Sequence, residues 1–256
     1  MKLFDAHTHI DMKHFQNDIE KVIARAQKQG LIGMVTSSIG TGSFRRTLGI
    51  IQKHRGYVHH SAGCSVSQLT RNEADSIISL IQKYSSEIVA IGEVGLDYHW
   101  IKDSQGRKAQ EPLFRDFIEL ATELDLPLVI HSRKAEAEAT EILEQAFSGS
   151  VLMHCFDGTP EIAKRIADNG WSITLPANFQ RSKNRVQAAS ILPLEQIMLE
   201  TDAPYLSPTD DRRNEPSNVS FGCSSLANLL NLPEEDVAST TTSNALRYYN
   251  ISFHDR

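Results

Sequence analysis

Eight short, apolar, β-rich runs recur along the chain: Lys2 to His7, Gly33 to Ser38, Tyr57 to Cys64, Ile88 to Glu93, Leu128 to His131, Val151 to His154, Trp171 to Leu175 and Ile197 to Thr201. Helical stretches separate them. This alternation constrains the fold more than any other feature, because strand-helix-strand connections leave successive strands parallel and lay the helices on the sheet. In Phe15 to Gln29 the apolar Ile19, Val22, Ile23 and Ala26 share one helical face, and in Glu111 to Leu124 so do Phe114, Phe117, Ile118 and Ala121. Eight rounds favour an α/β fold closed as a (β/α)₈ barrel over an open, doubly wound sheet, and 256 residues match the roughly 250 such a barrel needs. Two further helical segments, Gly222 to Leu230 and Glu234 to Tyr248, are expected outside the barrel. No low-complexity linker interrupts the pattern, so residues 1–256 read as one domain.

Hydrophobic residues at 40% and charged residues at 23% allow a sizeable core without disulfides. No apolar run approaches the roughly 18 to 20 residues of a membrane span, and Lys2-Leu3-Phe4-Asp5 lacks a signal-peptide pattern, so a cytoplasmic protein is expected. Cys64, Cys155 and Cys223 have no CxxC spacing and are expected as buried free thiols. Cys155 follows His154, and strand alternation would turn it away from any ligand its neighbour holds. A net charge of -6 opposes nonspecific attraction to nucleic acid, so a phosphate substrate must be caught by local positive charge.

The chemistry collects at the C-terminal ends of the strands, which a barrel gathers into one mouth and an open sheet would spread along a crevice. His7 and His9, two residues apart at the end of the first strand, face the same way and can bind one cation together. Glu93 ends the fourth strand between Gly92 and Gly95, which permit close approach, and a carboxylate there can bridge two cations. His131 and His154 each terminate an apolar strand. Asp202 follows the eighth strand, beside the first in a closed barrel, where it can reach the cation of His7 and His9. Four histidines and two carboxylates form a mixed nitrogen and oxygen set suited to zinc, manganese, nickel or, with more water, magnesium. Two such cations roughly 3.5 to 4 Å apart activate a water, and Asp202 can accept its proton. Asp202 and Glu93 are therefore the candidate catalytic residues.

The same residues carry a resemblance to the TatD family of metal-dependent deoxyribonucleases. Its segments are Phe4 to Asp11, Ala90 to His99, Gln110 to Arg133, Met153 to Gly158 and Leu199 to Leu206. The resemblance implies a barrel hydrolase with His7, His9 and Asp202 on one cation, His131 and His154 on the other, and Glu93 shared. It also implies cleavage of DNA phosphodiester bonds, commonly as an exonuclease; two divalent cations, Mg, Mn or Zn, are the expected cofactors. The segment Ile173 to Phe179 departs from the family's pattern, a departure expected at the mouth and bearing on substrate preference.

Arg133, Arg181, Arg185 and Arg213 fall near these strand ends and can hold phosphate oxygens, while Tyr98, with His99 and Trp100 beside it, can stack a base. DNA is thus the expected partner; no membrane and no protein partner are expected, and the chain reads as a monomer. A second function class keeps the cations and changes the electrophile to an amide, lactone or ester. Many such hydrolases bridge their metals with a carboxylated lysine, and Glu93 stands at that strand end instead. A third reading is a metal-binding scaffold without catalysis.

Overall fold

The computed structural model describes residues 1–68 and 70–252. Its strands are β1 (Leu3–Thr8), β2 (Leu31–Ile39), β3 (Val58–Gly63), β4 (Ala90–Gly95), β5 (Leu128–His131), β6 (Val151–Met153), β7 (Ser172–Pro176) and β8 (Ile197–Glu200). They pair in sequence order in one sheet, every ladder parallel. Past their ends the first and last strands meet: the Asp202 amide donates to the His7 carbonyl at 3.0 Å and the His9 amide to that of Ala203 at 2.8 Å. The sheet is a TIM-type barrel, nearly closed.

Seven helices follow the strands: α1 (Ile19–Lys28), α2 (Thr41–Lys53), α3 (Arg71–Lys83), α4 (Ser104–Leu124), α5 (Glu136–Ala146), α6 (Pro160–Asp168) and α7 (Lys183–Ile191). Two more, α8 (Val219–Leu230) and α9 (Glu234–Tyr248), come after β8. Strand residues facing the helices and the helices' apolar faces form the main core, with Phe15, Phe44, Phe114 and Phe117 fully buried. Burial of this kind is the principal favourable term in folding.

Boundaries differ from the sequence reading where side chains or turns intervene. The α4 helix begins at Ser104 rather than Glu111, because the Asp103 carboxylate accepts from the Gly106 amide at 2.7 Å and caps a helix start that apolar periodicity does not mark. Conversely, α1 starts only at Ile19, since Met12 to Asp18 runs as hydrogen-bonded turns.

A smaller cluster of Phe4, Ala6, Val35, Ala90, Val129, Leu152 and Met198 comes from strands on opposite sides of the barrel and so fills its lumen. Ala245 and Tyr249 join it. The Tyr249 hydroxyl donates to the Ala6 carbonyl at 2.9 Å, and that of Tyr248 to the Leu128 carbonyl at 2.7 Å. The expectation that both C-terminal helices lie outside therefore needs correcting for α9, whose last turn closes the N-terminal end of the barrel. One aromatic side chain just past the helix fills an opening that small and β-branched strand residues leave.

Candidate metal centre

At the opposite end, the strand termini converge. The Nε2 atoms of His7 and His9 lie 3.2 Å apart. The Glu93 carboxylate stands between two histidine pairs: Oε2 is 3.6 Å from His7 Nε2 and 3.5 Å from His9 Nε2, while Oε1 is 2.5 Å from His131 Nδ1 and 3.7 Å from His154 Nε2. Asp202 Oδ1 completes the first side, 3.8 Å from His7 Nε2 and 3.4 Å from His9 Nε2. The rings of His7 and His154 stack with centroids 3.8 Å apart. Ligand-type atoms fall into three groups, each within 4.8 Å: His7, His154 and Asp202; His7, His9 and Glu93; and Glu93, His131 and His154. All six residues singled out in the sequence share this one locus.

The geometry that turns them inward comes from β2, β8 and the segment just after β4. His9 Nδ1 donates to the Ser37 carbonyl on β2 at 2.8 Å, and His7 Nδ1 meets the Ser37 hydroxyl at 3.2 Å. His154 Nδ1 donates to Glu200 Oε2 on β8 at 3.0 Å, and the same oxygen accepts from Thr174 at 2.6 Å. His131 Nε2 donates to Asp97 Oδ2 at 2.9 Å, with Asp97 held in turn by the amides of His99 and Trp100. Each imidazole thus has its outer nitrogen occupied and its inner one aimed at the centre. Metal-binding histidines are oriented in this way, so the residues fit divalent cations on the chemistry of the donor set and its support.

Electrostatics among these groups point the same way. Burial, the largest influence on Glu93, opposes its charge, yet the charges of His154 and His131 and the bond from His131 hold it well below the usual carboxylate range. Asp202 is lowered too, burial being outweighed by His9 and the other histidines. Burial disfavours the imidazolium of His131, but Glu93 and Asp97 raise it to about 10. His9 and His154 rise against burial for the same reason, through Asp202 and Glu93 in one case and Glu200 and Glu93 in the other. His7, dominated by burial and the charge of His154, moves down.

A cavity of about 870 Å³ opens over the centre, lined by His9, Glu93, His131, His154 and Asp202. Of the candidate phosphate contacts, Arg133 and Arg185 line it, as does Arg212. Arg185 is the better placed: its Nη2 donates to Cys155 Sγ at 3.1 Å, Asp157 lies 4.0 Å away, and its buried Nε has no partner among the described residues. Cys155 does line this cavity, contrary to the alternation argument, because β6 stops at Met153 and Cys155 has a left-handed backbone, φ 48°. The other candidates lie elsewhere. Arg213 is held by both Asp18 oxygens at 2.8 Å and by Glu215 at 2.7 Å, Arg181 donates to the Pro208 carbonyl at 3.2 Å, and the Tyr98 ring carries Arg107 at 4.5 Å. Trp100 lines the wall, 65% exposed, with the Arg133 guanidinium 5.8 Å from its ring centre. No residue of the divergent segment Ile173 to Phe179 lines that wall.

Asp97, Glu200 and Ser37 escaped the sequence reading. Glu200 had a signal: a carboxylate ending the apolar run Ile197-Met198-Leu199, where burial demands a partner. The bond that Ser37 accepts from His9 uses a main-chain carbonyl and leaves no mark on the sequence.

Comparison with known proteins gives a consistent picture. Residues 4–250 match the family model described as TatD related DNase. The chain is 31% identical to the putative deoxyribonuclease TATDN3 of Mus musculus, over 96% of this chain and 88% of that protein. It is 32% identical to an uncharacterized metal-dependent hydrolase of Bacillus subtilis, over 98% of this chain and all (100%) of that one. Among solved structures, a TatD homologue from Escherichia coli superposes with a TM-score of 0.88 at 22% identity, covering 98% of both chains, and shares the fold.

Proposed function

The chain belongs to the TatD related DNase family, and from that premise we propose that it is a metal-dependent hydrolase that cleaves DNA phosphodiester bonds, removing nucleotides from a strand end. His7, His9 and Asp202 would hold one divalent cation, His131 and His154 a second, and Glu93 would touch both. The carrying observation is that the two oxygens of Glu93 face separate histidine pairs, one at 3.5 to 3.6 Å and the other at 2.5 to 3.7 Å. When bound, such cations polarise the phosphoryl group and acidify water.

The chain's own groups do the rest. Asp202, beside His7 and His9, accepts the proton of the attacking water, for which its lowered pKa keeps it ionised. Arg185, incompletely hydrogen-bonded at the cavity wall, holds a non-bridging phosphate oxygen, and Arg133 adds charge at the rim. Asp97 and Glu200 fix the rings of His131 and His154. Relatives named as deoxyribonucleases support DNA as the substrate.

Oligonucleotides labelled at either end, single- and double-stranded, test this in the presence of Mn²⁺, Mg²⁺ or Zn²⁺. The expected result is progressive release of mononucleotides from one end. If every substrate stays intact while a control nuclease digests it, the assignment is wrong; cleavage at internal positions alone removes the exonuclease part.

A further inference from the structure

We propose that a second cavity, between α1 and α2, receives a nucleotide neighbouring the one at the metal centre, so that a DNA strand is gripped across both; this rests on the phosphodiesterase reading above. The cavity measures about 720 Å³, which falls within the roughly 300–1,000 Å³ of small-ligand pockets. It adjoins the site across a shared wall of Met12 and Tyr205, which line both cavities, the Tyr205 hydroxyl 3.6 Å from Met12 Sδ. A strand whose phosphate lies at the metal centre would cross the exposed Tyr205 side chain to enter the second space.

The walls match what a nucleotide presents. Tyr205 is 49% exposed and meets the His14 ring at 69° with centroids 6.3 Å apart, which leaves its face open for a base. Ile19 and Ile50 supply an apolar lining. Around them stand the cations of Lys13, Arg46 and Lys53 against two carboxylates, Asp11 and Glu20, a local positive excess on a chain of net charge -6. Arg46 and Lys53 are 57% and 65% exposed, each paired to one of those carboxylates, at 3.0 and 2.6 Å. The Lys53–Glu20 pair is exposed on both sides and holds weakly, so Lys53 can turn to a phosphate, whereas Arg46 stays fixed on the buried Asp11, whose main-chain carbonyl it also meets at 3.1 Å.

Gly49 gives a clean test. It lines the cavity from α2, and a Cβ built there meets nothing within 4 Å. Gly49→Trp would fill the cavity without touching the metal centre. On a six-nucleotide single strand its KM should rise about tenfold or more, the scale of one lost base-stacking contact. Hydrolysis of bis(4-nitrophenyl) phosphate, which has no neighbouring nucleotide, should be unchanged. Lys13→Ala should flatten the salt dependence of KM on the same strand by a slope of about 0.7.

An unchanged KM in Gly49→Trp, or an unchanged salt slope in Lys13→Ala, overturns the proposal while leaving the nuclease reading standing. So does equal loss on both substrates, since the block would then act on the centre itself. If the wild-type protein hydrolyses neither substrate, the phosphodiesterase reading fails and this one with it.

Discussion

On the proposed assignment Asp202 serves the chemistry, whereas Asp97 and Glu200 support the rings of His131 and His154. Asp202→Asn keeps an oxygen that can face His7 and His9 but loses the basic carboxylate, so it should cut kcat by about 10²–10⁴, the usual worth of a positioned base, while retaining part of the bound metal. Metal analysis beside turnover checks this, and near-normal turnover would remove Asp202 from the reaction. Asp97→Asn leaves Asp202 untouched and removes only the charge behind His131, 2.9 Å away. Its expected effect is a loss of about 10–100-fold in metal affinity or activity, the range for partners that orient a ligand. Activity restored by high metal would mark affinity as the quantity lost. An unaltered metal titration would show that the contact does not matter.

Elements act on the centre through how closely strands approach. Gly63 ends β3 beside β4, and a Cβ there would fall 2.3 Å from the Glu93 carbonyl oxygen and 2.6 Å from its amide nitrogen. Gly63→Ala must therefore push Glu93 aside without changing any charged group, and the expected outcome is weakened metal binding in a protein that still folds. Calorimetric titration of that variant against wild type checks it; equal affinity would show that β3 does not set the position of Glu93. At the other end of the barrel, Tyr249 and the last turn of α9 close the lumen. Chemistry and closure thus occupy opposite ends of the same strands, as in barrels generally.

For the whole molecule, cation binding, proton loss and stability are one linked equilibrium. On the proposed assignment divalent cations bind the folded pocket and not the unfolded chain. Saturation at 100 times Kd adds about 2.7 kcal/mol, and at about 2–4 °C per kcal/mol for a chain of this size the melting midpoint should rise by about 5–10 °C and fall back with chelator. Binding would also compete with protons on His9, His131 and His154, all raised by the carboxylates around them, with His131 at about 10. Lower pH favours the protonated, metal-free form. Below about pH 10 cation affinity should therefore weaken by about tenfold per pH unit for each proton displaced. Calorimetry in buffers of different ionisation enthalpy reads that release, and a Kd that stays constant from pH 7 to 9 would contradict it.

The order and type of the elements were legible in the sequence, because alternating apolar periods report which faces each segment must bury. Histidine and carboxylate at successive strand ends likewise marked His7, His9, Glu93, His131, His154 and Asp202, since a parallel barrel brings all its strand ends to one mouth. What only the tertiary structure decided is how those groups are aimed and what surrounds them. Ser37, Asp97 and Glu200 hold the imidazoles from elsewhere in the barrel, Arg213 is drawn off by Asp18 and Glu215, and Arg185 is left at the cavity wall. Those outcomes depend on contacts between residues as much as 195 positions apart, as for Arg213 and Asp18. A linear pattern records what a side chain is and roughly which face it takes; which partner reaches it first is settled by distance in the folded chain.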